Sequence, residues 1–358
     1  MGFEKTIYET VIEKGISRRD FLKACTALAA TLGLDYSQTS QVVQAMETNK
    51  RVPVIWLQLM DCTGCSESFI RSSHPRTENV LLDMISLEYS EVLSAASGHQ
   101  IEANRERIME EFKGEYILAV EGNVTDAEFL SVAGHSALET LKETAKHAKA
   151  VIAYGSCATW GGIAAAKPNP TNARPVSDVI KGVPIMNVPG CPPIAEVMTG
   201  VIAHVITFGR LPELDSKGRP KAFYKLRIHD KCNRRAYFDA GLFVESFDDA
   251  GAKIGYCLYK VGCAGPTTYN SCAEMRWNGG VSYPIQSGNP CIGCSEKDFW
   301  DEGPFFTRRA KVPGLQTTVN PEKVGLYAAG ATIAGIAAHA TATAIKKKQD
   351  EKNSTEDI

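Results

Sequence analysis

The sequence predicts an α/β chain in three parts: a parallel-sheet domain, an irregular cysteine-rich domain and a long apolar helix. Three observations predict it. Between residues 53 and 209, short apolar runs alternate with segments of helical period, the pattern of βαβ units. From 211 to 306 that periodicity fades, and turn residues and cysteines take over, as expected where metal ligands fix the chain. From 324 to 345 the chain carries an uncharged run of 22 residues.

The chain has 358 residues, enough for two domains and a sizeable core without disulfide staples. Its net charge is -2, from 39 basic and 41 acidic residues, so it lacks the electrostatic footprint of a nucleic-acid binder. Hydrophobic residues at 44% place it among ordinary globular proteins.

The first segment, 1–45, reads as an export address. Ser17-Arg18-Arg19-Asp20-Phe21-Leu22-Lys23 is a twin-arginine motif, and the apolar run that follows, 24–34, is too short to span a bilayer. The small-residue rule places cleavage near Ala45. Cys25 lies in this segment and receives no functional role. Exported, cysteine-rich chains often form disulfides, but the Cys-x-x-Cys pairs here have ligand spacing, and twin-arginine export is associated with chains that cross already folded.

Within the sheet domain, 52–210, strands are expected over 54–59, 84–87, 116–120, 151–154 and 185–188, with helices over 66–71, 101–112, 137–148 and 194–207. Right-handed crossovers put all the strand carboxyl ends on one edge. Cys62 and Cys65 follow the first strand, Cys157 the fourth and Cys191 the fifth, so four thiols meet where open α/β sheets bind ligands. Gly155, Gly161, Gly162 and Gly190 allow close backbone approach there. Four thiolates in such a cage suit a [4Fe–4S] cluster or tetrahedral zinc.

The second domain, 211–310, carries two further sets. His229, Cys232, Cys257 and Cys263 form a three-thiolate, one-imidazole set that an iron–sulfur cluster or zinc would accept. Cys272, Cys291 and Cys294 offer three thiolates, which suits a [3Fe–4S] cluster. Several clusters on one chain point to electron transfer.

As a helix the apolar run, 324–345, covers roughly 33 Å, a bilayer core. Nine of its residues are alanine, a weaker insertion signal than leucine. Lys346, Lys347 and Lys348 open a cytoplasmic tail, 346–358. Gly330 with Ala334 and Ala331 with Gly335 favour packing on another membrane helix. Residues 349–358 are expected to be disordered.

These segments together resemble the small subunit of membrane-bound, twin-arginine-exported nickel–iron hydrogenases. The match rests on Cys62-Thr63-Gly64-Cys65-Ser66-Glu67-Ser68, Gly155-Ser156-Cys157-Ala158-Thr159-Trp160-Gly161-Gly162, Val188-Pro189-Gly190-Cys191-Pro192-Pro193, His229-Asp230-Lys231-Cys232, Cys257 through Cys263-Ala264-Gly265-Pro266, and Asn289-Pro290-Cys291-Ile292-Gly293-Cys294. It covers nearly the whole chain.

The resemblance implies a flavodoxin-like domain followed by a cluster-binding domain. It makes Cys62, Cys65, Cys157 and Cys191 the ligands of a proximal [4Fe–4S] cluster. His229, Cys232, Cys257 and Cys263 would hold a distal [4Fe–4S] cluster, and Cys272, Cys291 and Cys294 a medial [3Fe–4S] cluster, with Pro284 in place of a fourth thiol. It assigns this chain no catalytic residue, because the nickel–iron centre belongs to a large-subunit partner. Electrons would leave toward a cytochrome b or other quinone-linked membrane subunit, and the Tat machinery would place the chain on the periplasmic side of the cytoplasmic membrane. Two rivals are the related subunit of respiratory complex I, which lacks the second and third cysteine sets, and a zinc-stabilised exported protein. One departure stands out: Asp61 replaces the family's usual glutamate. Gly64 and Gly162 occupy the positions at which oxygen-tolerant relatives carry two extra cysteines, so the resemblance implies a standard, oxygen-inactivated enzyme.

Overall fold

The computed structural model describes residues 5–301, 305–306, 310–311, 318–319 and 321–356. Its centre is a five-stranded parallel sheet built from β1 (Val52–Gln58), β2 (Ile85–Ser90), β3 (Ile117–Glu121), β4 (Ala150–Tyr154) and β5 (Ile185–Val188). The spatial order is β2-β1-β3-β4-β5, the flavodoxin-like doubly wound order. All five expected strands are present, the last with both ends as expected and the others with ends shifted by up to three residues, where frayed termini are hardest to read.

Both sheet faces are covered, which is why the strands read as unbroken apolar runs rather than alternating ones. Alternation still sorts the side chains. Val54, Trp56, Ile117, Ala119, Ile152 and Tyr154 join one apolar core, while Ile55, Leu57, Leu118, Val120, Val151 and Ala153 join the other. The first core includes Met198, Val201, Ile202 and Val205 of the helix Ala195–Phe208. The second takes Ile101 and Ile108 from His99–Glu111, and Leu141 and Ala145 from Ala137–Ala145.

Between 211 and 301 the chain forms short helical turns and isolated bridges. Arg219, almost fully buried, anchors this region by pairing with Asp215 at 2.8 Å and Glu296 at 2.9 Å. A buried ion pair is costly to break, because removing one partner strands the other charge.

The ends hold two further elements. Helices Ile7–Glu13, Arg18–Thr31 and Thr39–Thr48 pack on the sheet domain, and Phe21, Cys25, Leu28, Val42 and Met46 join its first core. The final helix, Pro321–Glu356, contains a span long and apolar enough to cross a membrane, Val324–Lys348, none of it buried. It continues beyond Lys348 to Glu356, so 349–356 is helical rather than disordered. Gln, Glu and Lys are good helix formers, and a preformed helix ahead of them removes the cost of nucleation.

Candidate metal centres

The topology delivers the first set of thiols to one edge. Cys62 lies in the loop after β1, and Cys65 sits in the first turn of Gly64–Ile70, entered through Thr63 at a left-handed φ of 57°. Cys157 is on the short helix Gly155–Trp160 directly after β4, and Cys191 follows β5. The Cys65, Cys157 and Cys191 thiols are pushed above their ordinary pKa by burial first and then by their neighbours. The Cys65 thiol feels Glu121, Cys157, Cys191 and Cys62, and the Cys157 thiol, held at about 12, feels Cys191 and Cys62. Such mutual repulsion shows that the four converge. Thiolates held so close are stabilised only by cations among them.

Glycines make the cage possible. A Cβ at Gly155, where φ is +85°, would stand 2.5 Å from Cys65 Sγ, and one at Gly162, where φ is +68°, would stand 2.4 Å from Cys157 Sγ. A Cβ at Gly64 would be tight rather than clashing, 3.1 Å from Cys62 Sγ. Backbone therefore closes directly on the ligand sulfurs, a cradle that any side chain would fill. All eleven cysteines are unpaired, as ligands must be. Among the described residues, no three His, Cys, Asp or Glu groups are drawn tightly enough to chelate a single ion. Four soft thiolates ringing a wider space fit an iron–sulfur cluster.

One organising residue carries no motif. Glu121, at the end of β3 and 1% exposed, accepts from Cys65 N at 2.9 Å, from Ser66 N at 3.1 Å, from Ser66 Oγ at 2.5 Å and from Trp56 Nε1 at 3.3 Å. It thereby fixes the Cys-x-x-Cys turn to the sheet. An acid ending a buried apolar strand was its only trace in the sequence. Asp61, beside Cys62, is pushed up to about 6 by burial and by the charge of Glu121.

The second set also gathers. His229, Cys232, Cys257 and Cys263 line a single small cavity. Burial, then Arg235, lowers His229 to about 4, which keeps its imidazole in the neutral, ligating form at neutral pH. Burial pushes Cys257 and Cys263 up to about 12, with repulsion from other cysteines adding to it. The Tyr283 hydroxyl donates to Asn233 Oδ1 at 2.7 Å and stands 3.6 Å from Cys232 Sγ, while Arg234 N donates to that sulfur at 3.4 Å.

Cys272, Cys291 and Cys294 lie between the other two sets. Cys272 feels Cys291, and Cys294 feels Cys272 and Cys191. Ser156, next to Cys157, donates to the carbonyl of Cys294, and Cys291 N donates to Cys263 Sγ at 3.4 Å. The order in space is therefore first set, third set, second set, although the chain writes them in numerical order. Pro284 is exposed between buried Tyr283 and Ile285.

Residues 62–205 match the family described as "NADH ubiquinone oxidoreductase, 20 Kd subunit", and residues 224–307 match the C-terminal family of the "NiFe/NiFeSe hydrogenase small subunit". The second match separates this chain from the complex I subunit, since it spans the second and third ligand sets. An uptake hydrogenase small subunit from Azotobacter vinelandii is 56% identical, over 97% of this chain and 98% of that protein. The chain belongs to the nickel–iron hydrogenase small subunits. The uptake hydrogenase small subunit of Cupriavidus necator is 55% identical over 98% of both chains. In the solved Ni–Fe–Se hydrogenase of Desulfomicrobium baculatum, 72% of this hydrogenase subunit superposes on 100% of the matched chain, at a TM-score of 0.67 and 36% identity. The role of a hydrogenase small subunit is electron transfer, in an oxidoreductase that acts on hydrogen.

Proposed function

We propose that this small subunit relays electrons from H2 oxidation through three iron–sulfur clusters to a membrane-bound acceptor. The reading pairs it with a large subunit that carries the nickel–iron centre. The observation that carries it is the linear adjacency of the three ligand sets, joined by Ser156 to Cys294 and by Cys291 to Cys263. In this reading Cys62, Cys65, Cys157 and Cys191 hold a proximal [4Fe–4S] cluster, Cys272, Cys291 and Cys294 a medial [3Fe–4S] cluster, and His229, Cys232, Cys257 and Cys263 a distal [4Fe–4S] cluster. When bound, the clusters supply one-electron redox chemistry at potentials set by cluster type, hydrogen bonding and exposure. The chain's own part is to hold the thiolates in line, to bury them from water and to donate hydrogen bonds to their sulfurs.

Replacing Cys257 with alanine tests the relay. H2-driven reduction of a quinone in membranes is expected to fall by about a hundredfold or more, since a distal ligand is lost, while D2/H+ exchange, which needs only the large subunit's centre, persists. Unchanged quinone reduction would refute the relay.

Segment 1–45 is assigned as a twin-arginine leader read by the Tat machinery. The domains proper are 52–210 and 211–310, 324–345 is the anchor, and 346–358 is a cytoplasmic tail. This arrangement sets the clusters on the periplasmic side, facing a cytochrome b or another quinone-linked subunit. The exposed, apolar Val324–Lys348 helix supports the anchor. Deleting 324–358 is expected to move the enzyme into the soluble periplasmic fraction with its clusters intact. Fractionation with an H2-dependent dye assay checks this, and full retention on membranes would assign anchoring to the partner instead.

A further inference from the structure

The leader segment does not hang free. Helix Arg18–Thr31 begins at the Ser17 cap, whose side chain accepts from Asp20 N at 3.2 Å. Its apolar side, with Phe21, Cys25 and Leu28 each no more than 5% exposed, is part of the sheet domain's core. Its C-terminal end lies against Gly200 of helix Ala195–Phe208, where even a Cβ would stand only 3.5 Å from Thr31 Cγ2. Polar contacts pin the edges of the segment. Lys14 Nζ bonds Asp83 Oδ1 at 2.5 Å, Thr31 Oγ1 donates to His74 O at 3.3 Å, and Asn49 Nδ2 donates to Ile206 O at 2.8 Å.

The signal itself faces the other way. Arg18 is 70% exposed, with only a 3.7 Å pairing to Glu47, and Arg19 is also exposed. The expected cleavage region near Ala45 lies inside the helix Thr39–Thr48, with Val42 and Met46 buried on either side of it. Proteolysis favours exposed, irregular chain. A cavity lined by Val11, Phe21, Cys25, Leu28, Pro75 and Met84 runs along the seam between the segment and the domain. Packing there is incomplete, which makes this seam weaker than the domain's own core.

We propose that residues 5–45 form a removable cap in the unprocessed chain: a folded leader that covers the Gly200 side of helix Ala195–Phe208, presents Arg18 and Arg19 to the export receptor, and shields its own cleavage region until it undocks. The proposal rests on the leader reading of 1–45. Without the cap, the side of that helix that carries Gly200, with buried Val197 and Ala203 three residues to either side, would lose cover from water, and contiguous apolar surface of this kind drives association. Export addresses are receptor-read, so a docked cap with its arginines outward satisfies both requirements.

Cys25 supplies the probe, since it is the one cysteine outside the three ligand sets. It is 3% exposed, and burial followed by the charge of Glu47 holds its thiol at about 12. In the full, unprocessed, cluster-loaded chain kept free of oxygen, N-ethylmaleimide is expected to alkylate Cys25 at least about a hundredfold more slowly than it alkylates a synthetic 17–34 peptide. Peptide mapping locates the label. Leu28→Asp and, independently, Ala29→Glu should restore the fast rate while the visible cluster absorbance stays unchanged, whereas the double variant Arg18→Lys, Arg19→Lys should leave Cys25 slow and abolish export. A wild-type rate equal to that of the peptide overturns the cap, as does slow labelling in both undocking variants. Should those variants lose their clusters, the wild-type rate decides alone. Normal export of the double-lysine variant would overturn the leader reading and leave the docked segment standing.

Discussion

Glu121→Leu is expected to destabilise the sheet domain by roughly 3–5 kcal/mol, because the buried donors Trp56 Nε1, Cys65 N and Ser66 N each lose their acceptor at a cost of about 1–3 kcal/mol. For a domain the size of 52–210 that corresponds to a fall of roughly 6–20 °C in Tm. Freed from β3, the Cys-x-x-Cys turn loses its register, so iron content should fall by the share of one cluster. Glu121→Gln keeps an acceptor and is expected to cost about 1 kcal/mol. Thermal unfolding with iron analysis reads both effects. A leucine variant with unchanged Tm and full iron would show that the cage is held from elsewhere.

In air, the enzyme is expected to lose H2 oxidation rapidly and to recover only after reduction. Gly64 and Gly162 stand where oxygen-tolerant relatives place additional thiols, and a Cβ at these positions would abut Cys62 Sγ at 3.1 Å and Cys157 Sγ at 2.4 Å. These are positions from which a side chain reaches the site. Both are glycines, so the proposed proximal site would have its four thiolates alone and lack the extra ligands for a second closely spaced oxidation. An electrode measurement of H2 oxidation before and during exposure to air decides it, and current sustained in air would contradict the expectation.

Much of this was legible in the sequence. Fully buried parallel strands give continuous apolar runs, and Cys62, Cys157 and Cys191 each follow such a run, so their meeting at one edge followed from topology alone. Two features were not legible in periodicity or spacing. The spatial order of the ligand sets came only with the resemblance, which made Cys272, Cys291 and Cys294 medial: the irregular domain folds Cys294 back against Cys191 and Ser156, and no periodicity encodes that contact. The docking of residues 5–48 was hidden as well. A short apolar run after paired arginines looks the same whether it stays extended or packs on Gly200. Glu121 was visible only as an acid in the wrong place, since a buried carboxylate declares its role through the donors around it.

Iron and acid-labile sulfide counted per chain in the purified, fully loaded enzyme test the central claim most directly. After the large subunit's single iron is subtracted, three clusters held by eleven ligands (His229 and ten cysteines) correspond to eleven irons per small subunit, about four, three and four, and to about twelve sulfides, four in each cluster. About four irons per small subunit, or zinc in their place, would contradict the relay.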